Sequence, residues 1–115
     1  MAIKNITEVK HHLMLCNGGT CANKGAEEAT ARIRACVQDE GLDAEVHTTK
    51  TYCNGRCQDG PVVIVLPEGT WYKQITADKA RKLVQQHLVR GKEVDDWVLY
   101  RYGEATLNPA QPNVG

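Results

Sequence analysis

Apolar positions recur along this chain in two different periods. Ala29, Ile33, Cys36 and Val37 fall on one stripe at helical spacing, with Glu27, Glu28, Arg32 and Arg34 off it. Gly25 to about Glu40 therefore reads as an amphipathic helix that Gly41 ends. A second stripe, Ala80, Leu83, Val84, His87 and Leu88, predicts another helix, with Thr76 as its cap, Asp78 in its first turn and Gly91 at its end. The rest has the period of strands. His11 to Leu15 is short and apolar towards its end. Ala44 to Thr51 alternates, with Ala44, Val46 and Thr48 on one face and Glu45, His47 and Thr49 on the other, as in a half-buried or edge strand. Val62 to Leu66, opened by Pro61, is the continuous β-branched run of a central strand covered on both faces. Pro67 to Thr70 makes a tight turn, and Trp71 to Ile75 returns as the second arm of a hairpin.

The predicted order is β-α-β-β-β-α, an α/β fold. A βαβ unit followed by a hairpin and a helix is the thioredoxin-like arrangement, a central mixed sheet flanked by two helices. Residues 1–102 are expected to form the domain. Within them, Glu93 to Tyr102 carries Val94, Trp97, Val98, Leu99, Tyr100 and Tyr102, too much apolar surface for a free end. That segment should pack on the domain or on another subunit. Residues 103–115 hold turn residues without a period and are expected to be an irregular tail.

Length and charge narrow the function. At 115 residues the chain is one domain, long enough to bury a core. Lys plus Arg and Asp plus Glu both total 14, so the concentrated basic face that nucleic acid or an anionic membrane needs is not expected. The basic residues between Lys73 and Lys92 mostly decorate one helix. The opening residues lack an apolar signal region and no run approaches membrane-spanning length, so a cytoplasmic location is expected. There, five cysteines point to metal binding or redox chemistry over structural disulfides.

Four of the five lie in two glycine-containing loops that each follow a strand. They are Cys16-Asn-Gly-Gly-Thr-Cys21 and Cys53-Asn-Gly-Arg-Cys57, spaced C-x4-C and C-x3-C with 31 residues between the pairs. One helix and one strand separate them, so the fold can bring all four sulfurs to one end of a sheet. A tetrahedral set of four thiolates takes zinc or an iron–sulfur cluster. Zinc knuckles usually use C-x2-C, whereas the wider loops here suit a two-iron rhomb, with one pair on each iron or the pairs shared. Gly18, Gly19 and Gly55 let the backbone turn sharply and aim N–H groups at sulfur. The helix starting near Gly25 brings its positive end close to Cys21. Arg56 stands inside the second loop, as a charge that raises the potential or meets a redox partner, or as a solvated arginine. Cys36, on the apolar stripe, is read as a core residue.

These loops, with Gly60-Pro61 before the central strand and Leu66-Pro-Glu-Gly-Thr-Trp71-Tyr72 after it, resemble the thioredoxin-like [2Fe–2S] ferredoxin family over roughly residues 9 to 92. The family is also similar to the cluster-carrying small subunit of complex I and of some hydrogenases. The resemblance implies a low-potential one-electron carrier, usually a homodimer, that serves redox partner proteins. It implies a [2Fe–2S] cluster near the surface, held by Cys16, Cys21, Cys53 and Cys57, and Pro61 in the place of the thioredoxin cis-proline. The extra helical N-terminal region of the complex I subunit is missing, which favours a free-standing ferredoxin.

Two rival readings remain: a structural zinc domain that binds other proteins, and a thiol–disulfide enzyme. The C-x-x-C dithiol of the latter is absent. None of His11, His12, His47 and His87 has ligand spacing to the loops. Tyr52 reads as a strand end, and Trp71 and Tyr72 as hairpin and core residues. No nucleophile–base constellation appears, so catalysis by the chain alone is not expected.

Overall fold

A computed structural model of the chain describes residues 4–109. Five strands form one mixed sheet: β1 (His11–Cys16), β2 (Val46–Thr51), β3 (Val63–Leu66), β4 (Thr70–Tyr72) and β5 (Val98–Arg101), in the spatial order β2-β1-β3-β4-β5. β1 and β2 are parallel, with His11 opposite Val46 and Cys16 opposite Thr51. The other pairings are antiparallel. Two short helices, α1 (Gly19–Asn23) and α2 (Ala26–Asp39), connect β1 to β2. After β4 one continuous helical stretch runs from a 3-10 turn (Ala77–Lys79) through α3 (Ala80–Leu83) into a wider π-type segment (Val84–Val89).

The apolar pattern explains the packing. Ala29, Ile33, Cys36 and Val37 of α2 and Ala80, Leu83, Val84 and Leu88 of the second helical stretch are all buried. All but Ala29 meet Leu13, Leu15, Val63, Val65 and Tyr72 on one face of the sheet in a single core. A helix as short as α2 is marginal alone, so burial of its stripe is what holds it. The two flanking helical stretches thus share one face. The opposite face holds a smaller cluster in which Met14, Leu66 and Trp71, half-buried, pack with Ile64, Val62, Ala26, Cys16 and Cys21.

β3 is the central strand expected, with Val63, Ile64 and Val65 buried, and β2 is an edge. β2 begins at Val46 instead of Ala44, because Glu45 and Val46 donate their N–H groups to Leu42 O in a turn first. β4 occupies Thr70–Tyr72; Ile75 leaves the sheet to bond Pro61 O. The peptide bonds Gly60-Pro61 and Leu66-Pro67 are both cis. The aromatic segment resolves to the fifth strand: β5 pairs with β4, and Val98 and Leu99 are buried against the domain itself. Residues 103–109 are irregular, though Asn108 donates to Leu99 O and Val98 O along the outer edge of β5. Residues 110–115 of the expected tail lie outside the described residues.

At the end of β1 away from its cysteine, side chains from four elements meet. His87, 2 % exposed, holds Tyr72 Oη at 2.6 Å on Nδ1 and Glu68 Oε2 at 2.7 Å on Nε2. Tyr72 Oη accepts the Val94 N–H, and His11 adds a second contact to Glu68. Because the hydroxyl accepts from Val94, it is free to donate to His87 Nδ1, which leaves the Nε2–H for Glu68.

Candidate metal centre

Parallel pairing decides where the cysteine loops lie. Cys16 is the last residue of β1 and is opposite Thr51, the last of β2, so both loops leave the same end of the sheet. The Asn17 N–H donates to Thr51 O, which ties the first loop to the root of the second. Cys16 and Cys21 are both buried.

The first loop is not the open turn its glycines predict. Gly18 caps a single helical turn, α1, and that turn carries Cys21 inwards. α2 then starts separately at Ala26, after Gly25 at φ 94°. Burial alone would raise the Cys16 thiol. The Gly18 N–H, the Cys21 thiol, and the side chain and N–H of Asn54 all donate to its sulfur and carry it below the ordinary thiol value. Cys16 Sγ also lies 3.4 Å from Tyr52 O, at the root of the second loop.

The loops touch most closely at Gly18. A Cβ built there would lie 2.7 Å from Cys53 N, 2.8 Å from its Cα and 3.0 Å from its Cβ. Only a residue without a side chain permits this approach, while its φ of −64° is open to any residue. Lys24 Nζ also reaches Gln58 O across the gap. In the second loop the Gly55 N–H points at Cys53 Sγ, 3.3 Å away, with Gly55 at φ 85°. Cys53 is exposed. Cys57 opens a 3-10 turn, Cys57–Asp59, and its side chain lies outside what the structure describes. Among the described residues, no three His, Cys, Asp or Glu side chains converge as a metal site.

Arg56 is neither a free tuning charge nor a solvated arginine. Its Nε and Nη2 lie 2.7 and 2.6 Å from Asp59 Oδ2, and the Asp59 side chain is fully buried. Sequence reasoning missed Asp59 and Asn54. The i, i+3 spacing of Arg56 and Asp59 around a cysteine was the available signal. Tyr52, read as the strand end, lies one residue beyond the last residue of β2 and stands 90 % exposed.

The donor set fits an anionic sulfur cluster: thiol groups at one sheet end, backbone N–H groups on Cys16 and Cys53 sulfur, and a glycine cradle that presses the loops together. A thioredoxin-fold domain with paired cysteines on the loops after its two parallel strands defines a class of small metal-binding thiolate proteins. Within that class, this chain belongs to the thioredoxin-like [2Fe–2S] ferredoxin family, whose model matches residues 2–88. A Priestia megaterium protein described as a 2Fe-2S ferredoxin is 48% identical over 100 residues, covering 87% of this chain and 78% of the relative. A 2Fe-2S ferredoxin of Clostridium pasteurianum is 36% identical over 93 residues, covering 74% and 91% respectively. The solved thioredoxin-like [2Fe–2S] ferredoxin of Aquifex aeolicus superposes with a TM-score of 0.78 at 27% identity, over 90% of this chain and 99% of that one. Membership makes the [2Fe–2S] cluster the cofactor and electron transport the role, in place of the zinc reading. Among the described residues no helix is long and apolar enough to cross a membrane.

Proposed function

We propose that Cys16, Cys21, Cys53 and Cys57 hold the [2Fe–2S] cluster, and that the chain passes single electrons between redox partner proteins without catalysing a reaction itself. The observation that carries this reading is the contact of Gly18 with the Cys53 backbone, which joins the two cysteine loops. When bound, the cluster supplies a one-electron couple. The chain's own part is to orient and shield: Cys16 and Cys21 are buried and backed by Ala26, Val62 and Ile64. Gly18 and Asn54 favour negative charge on the Cys16 sulfur, and the Gly55 N–H points at Cys53 Sγ. Hydrogen bonds to sulfur of this kind are among the levers that set a cluster's potential.

The chain works in this reading as a cytoplasmic homodimer. The reducing compartment follows from cysteines used as thiolates. Dimerisation is supported by the sheet face opposite the helices, where Met14, Leu66 and Trp71 stay half-buried. There the Trp71 indole N–H is buried without an acceptor among the described residues.

Single serine substitutions of Cys16, Cys21, Cys53 and Cys57, purified without oxygen, test the ligand set. Each should lose or alter the visible absorption and the spin-half EPR signal of the dithionite-reduced protein. Wild-type spectra and two irons per chain in any one of them would remove that cysteine from the set.

A further inference from the structure

The buried carboxylate of Asp59 has no part in the ligand set, yet it stands two residues after Cys57. Its neighbours tie it to the body of the domain. The Asp59 N–H donates to Arg56 O at 3.0 Å, and its carbonyl accepts the Gln74 N–H at 2.8 Å. Gln74 makes that bond from φ 50°, the one positive φ among the described non-glycine residues. A side chain with a Cβ enters this region rarely, and such positions concentrate where a structure holds something in place. One residue further, Pro61 O accepts the N–H of the fully buried Ile75.

A carboxylate at zero exposure is a costly choice for stability alone, since apolar residues of similar volume serve as well or better. What sets this one apart is the cation it receives. Two nitrogens of the Arg56 guanidinium fork converge on one Asp59 oxygen, and Arg56 is the residue between Gly55 and Cys57. The second cysteine loop, exposed at Cys53, is thereby hung on the anchored stretch 59–61.

We propose that Asp59 is a positioning residue of the cysteine site: it latches the second loop to the domain through Arg56 and neutralises the guanidinium charge that the chain carries next to Cys57. The mechanical half stands on the geometry of the chain. The electrostatic half rests on the ligand reading above. A lone cation near a cluster favours the more negative, reduced form, whereas a closed pair of opposite charges exerts little field. The arginine seen in the sequence is thus silenced by an aspartate three residues away.

The test uses the full chain with three variants, Asp59→Asn, Arg56→Met and the double variant. In the cluster-loaded protein, Asp59→Asn leaves the guanidinium uncompensated, and the oxidised-to-reduced ratio at a fixed ambient potential should fall roughly two- to tenfold. Tenfold corresponds to 59 mV for one electron. Arg56→Met should shift the ratio the opposite way, and the double variant should return close to wild type. Shifts of the same sign, or none, overturn charge compensation. In the metal-free protein, exchange of the Gly55 amide should quicken about tenfold in both single variants and that of the Asp59 amide in Arg56→Met, and unchanged exchange overturns the latch. If Asp59→Asn does not accumulate, Arg56→Met and the double variant carry both readouts. If even the wild type loads no cluster, the ligand reading fails, and amide exchange still decides whether the latch exists.

Discussion

Replacing Gly18 by alanine adds one methyl group at the closest approach of the two cysteine loops. The backbone angles permit alanine, so the effect is one of volume. The new Cβ would sit 2.7 Å from Cys53 N, against the 3.4 Å where ordinary contact begins, so the loops must part by about 0.7 Å. The atoms in the way are backbone and Cβ, which no rotamer change can move aside. Overpacking of this kind costs typically about 1–3 kcal/mol. For a domain of this size each kcal/mol lowers Tm by several degrees, so a drop of roughly 5–15 °C is expected in the metal-free protein. The same displacement carries Cys53 away from Cys16 and Cys21, so iron content and visible absorption should fall too. Gly19→Ala is the control, because its Cβ would meet nothing within 4 Å. It lies in α1, where alanine favours the helix by about 0.5–1 kcal/mol over glycine. Differential scanning calorimetry and iron analysis on both variants decide the matter. A Gly18→Ala protein with wild-type Tm and full iron would refute the cradle, and with it the coupling of the two loops.

Three further outcomes follow from other parts of the structure. Burial by itself raises the Glu68 carboxyl, but the His87 hydrogen bond, its own N–H and the electrostatic attraction of the His11 and His87 rings bring it below its ordinary value of 4.5. Its folded form therefore binds fewer protons than its unfolded form. The stabilisation is complete above about pH 4.5 and is lost as pH falls through the lower folded value. Urea midpoints measured from pH 6 down to 3 should decline less steeply in Glu68→Gln, and identical slopes would exclude Glu68 from the acid response. Tyr72→Phe removes the acceptor of the buried Val94 N–H and the partner of His87 Nδ1, which should cost about 1–3 kcal/mol in urea unfolding with the cluster spectrum unchanged. Cys36→Ala, in the core and away from the loops, should lower stability by about 1 kcal/mol and keep two irons per chain; lost iron would make Cys36 a ligand.

Most of the architecture was legible because it rests on local period and turn chemistry. The stripe of α2, the β-branched run of β3 and the glycines after each helix are signals within a few residues of one another. β5 was not legible as a strand. Val98–Arg101 is short, and what makes it extended is a partner, β4, some 30 residues earlier. Nor was the turn of α1, since Gly-Gly within a cysteine loop favours open turns on propensity. There the inward placement of Cys21 overrides propensity. The charged contacts divide the same way. Arg56 was visible and Asp59 was overlooked, although only two residues separate them. The Tyr72–His87–Glu68 chain joins a strand, a helix and a hairpin turn, so nothing local announces it.

The two halves of the cysteine site differ in how much of the fold holds them. Cys16 ends a strand paired on both sides, and Cys21 is turned into the interior. Cys53 is open to solvent on a loop held by the Arg56–Asp59 ion pair, the Gly18 contact and a hydrogen bond from Lys24. Access to such a site is directional. Solutes reach the site first at the exposed Cys53 of the second loop, while Cys16 and Cys21 stay inside.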